Sequence, residues 1–390
     1  MTDTIDSNIP QTLLEEEVPR FRVEASFNMG WQVRSSRGKY GSSMGHGLLV
    51  GALFKKAIDS VVYNKKYAVC TKNPNKVKPH AGVKNYDGSS KSMEASALTK
   101  MLIRIHEEKG VSICTIITDD NSNGRSKSRH VANGGMLPIN VEEPAFWADP
   151  SHRKRVVARA IYNLSNLPMK RSAVTKGLAA HIKYCYGACV KRNRHRTAEA
   201  LSLMVNNILP HICGCHGSCD VTWCYDKKAA EENLPFNPPS DHRLDKVKYP
   251  ETYNQLKEIF DQYASVDMMR YCNHPHDTQT NEALNQAIAN IAPKSVCYSG
   301  NISLFSRIAL VIGTHNMGYY EFYTTLFDDI GVTMTAGLAK FLNAKQKRKI
   351  GKRTYKRRLE VKIARSKSPK KKYKKYTRIA LTIVTVMRWL

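Results

Sequence analysis

The chain has 390 residues, ordinary apolar content, and no apolar run near the roughly 18 residues of a membrane span, so a disordered polymer and a helical membrane protein are both excluded. Its 61 Lys+Arg against 33 Asp+Glu give a net charge of +28. Residues 345–378 alone hold 18 Lys/Arg and one acid, Glu360, so +17 lies there and +11 remains on the rest; a basic body with a more basic tail points to a polyanion partner, most simply nucleic acid, with DNA the expected one.

Residues 1–20 read as a flexible lead-in, acidic and polar, without the basic and apolar regions of a signal peptide. In that setting the ten Cys read as free thiols or metal ligands rather than disulfides. Val23, Ala25 and Phe27 alternate with Arg22, Glu24 and Ser26, which predicts a half-buried strand ending at Asn28. Two more strands are expected over 45–53 and 57–63, joined by short links and therefore antiparallel. A Lys-, Pro- and Gly-containing loop covers 71–92. A helix follows over 92–109, with Ala97, Leu98, Met101, Leu102 and Ile105 on one face, Ser92 as its cap and Gly110 at its end.

The β-branched run 111–117 predicts a central strand buried on both faces, and it stops at Asp119 and Asp120. A helical crossover makes this strand parallel to an earlier one. If that strand is the first, Asn28 and Asp119 lie side by side at one sheet edge, the ribonuclease-H-like arrangement for a divalent metal. A carboxylate at position 28 would read as a ligand; the amide of Asn28 is a much weaker one.

Residues 156–164, 174–190, 197–209 and 253–263 carry helical spacing, interrupted by a Cys/His cluster and a Pro-rich loop at 235–240. The cluster packs His211, Cys213, Cys215, His216, Cys219 and Cys224 into fourteen residues, a spacing that suits tetrahedral zinc or, alternatively, a turn with buried free thiols. Cys185 and Cys189, four apart on a helical stretch, read as core packing. His46, between glycines in an apolar strand, reads as a packed histidine or a ligand. The next helix begins near Thr280, its expected cap, with Ala283, Leu284, Ala287 and Ile288 buried and Glu282 in the first turn, where a carboxylate is favoured.

Five runs in order, 28–32, 43–47, 88–94, 119–122 and 281–285, resemble the Mutator-like transposase domain of animal mobile elements over about residues 20–345. The resemblance implies a ribonuclease-H-like core whose three carboxylates hold Mg²⁺ or Mn²⁺ for phosphodiester cleavage and strand transfer. Carried onto this chain, the carboxylates map to Asn28, Asp119 and Glu282, so the first acid is lost. The family's acid-x-x-His pair becomes Asp149 and His152; the alternative is that these residues simply begin a helix, with Asp149 as cap. The family's zinc-like quartet before the third run reads Tyr67, Cys70, His80 and Gly82 here, which leaves two ligands. Within the later cluster the resemblance favours His211, His216, Cys219 and Cys224 for Zn²⁺. These departures, with the family's usual N-terminal region missing, imply a decayed or repurposed copy with weakened catalysis.

The expected organisation is an α/β protein: a mixed ribonuclease-H-like sheet with a mostly helical insertion and a basic C-terminal tail. The first part of the core spans 21–140, the insertion 141–272, the last part with the third acid 273–344 and the tail 345–390. In the tail Lys347, Arg348, Lys349, Arg353, Arg357, Arg358, Lys370, Lys371, Lys372, Lys374 and Lys375 are the expected phosphate contacts. The run 367–375 resembles a nuclear-localisation signal, so the nucleus is the expected compartment. A second copy of the chain is the other candidate partner, and no membrane is expected. The competing function is a non-enzymatic nuclear nucleic-acid-binding module stabilised by zinc.

Overall fold

A computed structural model of the chain describes residues 21–32, 41–66, 84–90, 92–119, 141, 143–233, 235, 240–296, 298, 302–358 and 360–361. It is a mixed α/β protein. Five strands, β1 (Phe21–Trp31), β2 (Met44–Gly51), β3 (Ala57–Asn64), β4 (Val111–Thr118) and β5 (Ala145–Ala148), form one sheet in the order β3-β2-β1-β4-β5. The β1/β2 and β2/β3 pairs are antiparallel, while β4 runs parallel to both β1 and β5.

The crossover before β4 is helix α1 (Met93–Lys109). Its apolar face, with Ala97, Leu98, Met101, Leu102 and Ile105, packs with Ala25, Phe27, Met29 and Ile116 of the sheet. Gly110 ends it in the left-handed conformation at φ 60°, which glycine adopts without a Cβ clash. The expected Ser92 cap does not form. Its hydroxyl donates to Ser89 O at 2.9 Å and accepts from the Tyr86 hydroxyl at 2.8 Å.

Strand β1 continues past Asn28 to Trp31, because β2 pairs with it as far as Trp31↔Gly45. Strand β2 stops at Gly51 rather than residue 53, where the chain turns through Lys55 (φ 58°) and Gly51 N donates to Lys56 O. The expectation missed β5, whose four residues are too few to show a period.

Helices α2 (Pro150–Ser165), α3 (Lys176–Asn193), α4 (Ala198–Asn206), α5 (Ile208–Ile212), α6 (Tyr225–Glu231), α7 (Pro250–Tyr263) and α8 (Val266–Arg270) follow. The single helix expected over 197–209 is two, broken at Asn207. These helices share a core of their own, around Ile182, Cys185, Tyr186, Cys189, Trp223, Leu256 and Phe260. It is tied to the sheet edge by backbone and rings. Ala148 N donates to Tyr271 O at 2.9 Å, and His274 donates through Nε2 to Ala148 O at 2.9 Å while stacking on Trp147.

Helix α9 (Gln279–Ile291) returns to the sheet and covers the face opposite α1, with α10 (Ser303–Asn316) beside it. Leu284 and Ile288 are buried against Met44, Leu48 and Val50, and each such side chain contributes about 1.5–3 kcal/mol. Thr280 is not the cap; the helix begins one residue earlier, after Thr278. Ala283 is exposed, and the third wholly buried position is Asn281. Helices α11 (Tyr319–Asp329) and α12 (Ala336–Arg357) complete the described chain. None of the helices is long and apolar enough to cross a membrane, among the described residues.

Candidate functional site

Register decides what meets at the sheet edge. The last parallel pair between β1 and β4 is Ser26↔Ile117. Asn28 and Asp119 each lie two residues further on, so pleating puts both on the face that carries α9. The Asn28 Nδ2 amide donates to Asp119 Oδ1 at 3.3 Å. Asn28 therefore sits within β1 but just past the end of its parallel ladder.

Helix α9 supplies the rest of that face. Asn281 fixes the helix to the strands: its Nδ2 donates to Ser26 O at 3.1 Å and Leu48 O at 3.0 Å, and Ser26 Oγ donates back to Oδ1 at 2.5 Å. One turn on, Asn285 Nδ2 donates to Asn28 Oδ1 at 3.0 Å. Asn285 Oδ1 lies 2.9 Å from His46 Nε2; an amide oxygen only accepts, so the His46 proton is on Nε2. His46 is buried, and desolvation lowers its pKa to about 4 against the opposing Asn285 bond, so the ring is neutral. The close approach needs Gly30, where any Cβ would strike the His46 ring and Asn285 Oδ1.

The carboxylates sit at the exposed end of this network. His152 Nε2 lies 3.1 Å from Asp119 Oδ1 and 3.0 Å from Glu282 Oε1, between the two acids. Arg155, one turn later on α2, donates to Glu282 Oε1 at 3.3 Å, and Gln279 donates to Glu282 Oε2 at 3.3 Å. Burial pushes the Asp119 carboxyl above its usual range; His152 opposes that shift, while Asp149 and Glu282 add to it.

Asp149 has a different part. It is 0 % exposed and caps α2 by accepting from Ser151 N at 2.6 Å. Its other oxygen accepts from Thr278 N at 2.9 Å and Thr278 Oγ1 at 2.5 Å. One carboxylate thus holds the starts of α2 and α9 together, which brings His152 and Glu282 to the same point. Burial alone would raise its pKa, but the Thr278 and Ser151 bonds, with His152, outweigh that and hold it below the ordinary carboxylate range.

Two hard divalent cations need charged oxygen to bridge them. Among the described residues the carboxylates facing the common point are Asp119 and Glu282, and position 28 turns an N–H toward Asp119. The donor set does not fit a cation pair.

The Cys/His cluster is built otherwise. His211 Nδ1 lies 3.0 Å from His216 Nδ1, 3.5 Å from Cys219 Sγ and 3.5 Å from Cys224 Sγ, and Cys224 Sγ is 3.7 Å from His216 Nδ1. A tetrahedral zinc with usual bond lengths separates two nitrogens by about 3.3 Å and nitrogen from sulfur by about 3.5 Å, so these four atoms fit one ion. Behind the ring, His216 Nε2 is 3.5 Å from Asp226 Oδ1, within ion-pair range, the carboxylate support common at metal-bound histidines. The Cys224 thiol is pulled down to about 3, first by the hydrogen bond from Cys219, with burial opposing and His211 helping. The Cys219 thiol is pushed up by that same bond and then by burial. Cys213 and Cys215 lie outside this set of four.

Cys185 and Cys189 are buried in the helical core, and burial pushes both thiols up to about 12. In α12, Lys347 and Arg348 are exposed. Lys349 donates to Thr314 O at 3.3 Å and lies over the Tyr319 ring, so its ammonium is engaged in packing α12 on α10 and α11. Arg358 is exposed, 3.8 Å from Glu360. Arg353 and Arg357 lie in the described part of α12, their side chains outside it; Lys370, Lys371, Lys372, Lys374 and Lys375 lie outside the described residues altogether, as do Tyr67, Cys70, His80, Gly82 and Asp120. Sequence reasoning assigned no part to Asn281, Asn285, Arg155 or His181. The first two stood in a run already singled out, and their i, i+4 spacing beside Leu284 and Ile288 was the available signal.

The sequence model of the Mutator-like transposase family matches residues 9–224. No curated protein and no solved structure matches the chain.

Proposed function

The chain belongs to the Mutator-like transposase family, and on that premise we propose that it is a transposase-derived DNA-binding protein whose metal-dependent cleavage centre is disabled at Asn28. The strand order β3-β2-β1-β4-β5, antiparallel through the first three and parallel after the helical crossover, supports a ribonuclease-H-like core. The observation that carries the proposal is the Asn28 Nδ2–Asp119 Oδ1 hydrogen bond, where the first acid of such a core would stand. A cation bound by Asp119 and Glu282 would also have to displace His152 from between them. Asp149 serves as a positioning residue rather than a ligand. Zn²⁺ in the His211, His216, Cys219 and Cys224 quartet holds the helical region's loops.

DNA binding rests on charge and placement. Arg155 and Arg159 are exposed on α2, one turn apart and leading away from the carboxylates. On the adjoining surface Lys154, beside Lys183 and Lys191, has its pKa lowered by burial and by those two charges. Lys347 and Arg348 are exposed on α12, the sequence after them is rich in Lys and Arg, and phosphate neutralisation by such residues makes binding strongly salt-dependent. The protein acts in the nucleus, where that DNA is.

The test is nicking of supercoiled DNA with Mg²⁺ or Mn²⁺ by the wild type, Glu282→Ala, Asn28→Asp and Asn28→Asp with Glu282→Ala. A silent wild type that binds DNA, with nicking gained in Asn28→Asp and lost again in the double variant, is expected. Nicking by the wild type that Glu282→Ala abolishes would overturn the disabled-centre reading and leave an active nuclease.

A further inference from the structure

His211 is buried with its two nitrogens facing different groups. Nδ1 faces the quartet. Nε2 lies 3.1 Å from His181 Nε2 and 3.8 Å from Cys185 Sγ, and Cys185 Sγ is 3.5 Å from His181 Nε2. We propose that His181, Cys185 and the Nε2 side of His211 form a second site for a soft divalent cation of the zinc class, bridged to the first through the His211 ring.

Helical spacing builds half of the site. His181 and Cys185 are four apart on α3, which sets their side chains one above the other on one face. The 3.1, 3.5 and 3.8 Å edges match the face of a tetrahedral nitrogen and sulfur set, about 3.3 Å and 3.5 Å. A simple hydrogen bond between the two rings would explain the shortest edge. It would not draw the Cys185 sulfur in to both nitrogens. Three ligands leave a fourth coordination position open, the pattern of exchangeable rather than purely structural zinc. Cys185 and His211 are buried and His181 is half-buried, so the open side lies toward His181 and the His242 ring stacked on it at 4.3 Å.

The balance of protons makes this the weaker site. With the quartet filled, a cation entering the second site displaces the Cys185 thiol proton and the remaining His211 ring proton, both to solvent, so His211 becomes a bridging imidazolate. Loading therefore strengthens as pH rises. Sharing His211 means that the proposal rests on the reading of the quartet as a metal site.

The experiment is metal stoichiometry of the full-length protein after zinc loading and gel filtration, repeated with Co²⁺ to follow its visible absorption. The wild type should hold two equivalents. His181→Ala and Cys185→Ser should each hold one, and Cys219→Ser should lose the quartet's. His181 is the safer target because it is half-buried, and circular dichroism reports whether either variant stays folded. A wild type with one equivalent, unchanged in His181→Ala and lost in Cys219→Ser, overturns the second site and leaves the quartet standing. One equivalent lost in His181→Ala but kept in Cys219→Ser removes the quartet and with it the bridged pair, and leaves a single ion at the His181 cluster. Two equivalents retained in a folded His181→Ala also overturn the proposal.

Discussion

The carboxylate cluster and the Cys/His cluster both gather ligand-type atoms, but they balance charge in opposite ways. Around Asp119 Oδ1 and both oxygens of Glu282, donors of the chain stand beside the acceptors: the Asn28 amide, the His152 ring, Arg155 and Gln279. Around His211 Nδ1 the neighbours are another ring nitrogen and two sulfurs, four electron-rich atoms that converge on one point. A site whose acceptors are interleaved with donors is complete without a cation. A site whose lone pairs converge on one point is not. On the function proposed above, loss of the first acid converts a site of the second kind into one of the first, and the test of that proposal is how each cluster responds when a cation, a charge or a proton is added or removed.

The largest response is expected from the Cys/His cluster. Cys219→Ser, or a strong chelator, should remove zinc and unfold the helical region around Trp223, Ile212 and Leu209, whose core abuts the ligands. Structural zinc in small domains contributes about 10–16 kcal/mol of apparent binding energy. A fall in melting temperature of more than about 10 °C, seen by calorimetry and by Trp fluorescence, is the expected outcome. A chelated protein that melts unchanged would mean that the thiols are merely packed.

Next in size is Asp149→Ala. The change leaves Thr278 N and Oγ1 and Ser151 N without their acceptor in a buried place. Losing three bonds to a buried carboxylate costs about 3–5 kcal/mol. Urea unfolding measures it. Asp149→Asn, which keeps an acceptor oxygen, should recover part of the loss. A change below about 1 kcal/mol would show that α2 and α9 are held together by something else.

That clamp also marks where sequence reasoning stops. The crossover strand was legible because 111–117 is a continuous β-branched run and 92–109 has an unbroken apolar period. From those two facts a parallel partner for β4 followed, and Asn28 was expected to meet Asp119 if that partner was the first strand; the sheet makes it β1. The cap that α2 shares with α9 did not, because it joins Asp149 to Thr278 across 129 residues, and no local pattern encodes such a distance. The same holds for Asn281 and Asn285. Polar residues on a buried helix face look like errors of period until their partners on β1 and β2 are known. Spacing gathered six candidate ligands and the family resemblance favoured four of them, but only the fold could bring His181 and Cys185 of α3 behind the same ring.

Acid should act on the carboxylate side through His46. Its pKa is about 4 when folded and near 6.5 when unfolded, so the unfolded chain takes up the proton first as pH falls. The stability contributed by the neutral ring is present above about pH 6.5 and is lost as pH falls toward 4, on the order of 3 kcal/mol in all. Urea midpoints between pH 4 and 7 should therefore drop more steeply in the wild type than in His46→Gln. Equal slopes would place the acid sensitivity elsewhere.

The smallest expected effect is the most direct test of the difference between the two clusters. Asn28→Asp keeps an oxygen to accept from Asn285 and replaces the N–H that faces Asp119 by a second carboxylate oxygen. Without a cation the two acids repel at 3.3 Å in a half-buried place, which also drives Asp119 further above its ordinary range. The variant should lose about 1–2 kcal/mol in EDTA, the size of a lost hydrogen bond with some added repulsion. Millimolar Mg²⁺ or Mn²⁺ should return it, because the third charged oxygen gives a cation what the amide withholds. The wild type should show no such recovery, since its Asn28 amide turns an N–H rather than a charged oxygen toward Asp119. A melting temperature that responds to Mg²⁺ equally in both proteins would mean that Asp119 and Glu282 bind the cation without help from position 28, and that the amide there does not set the character of the site.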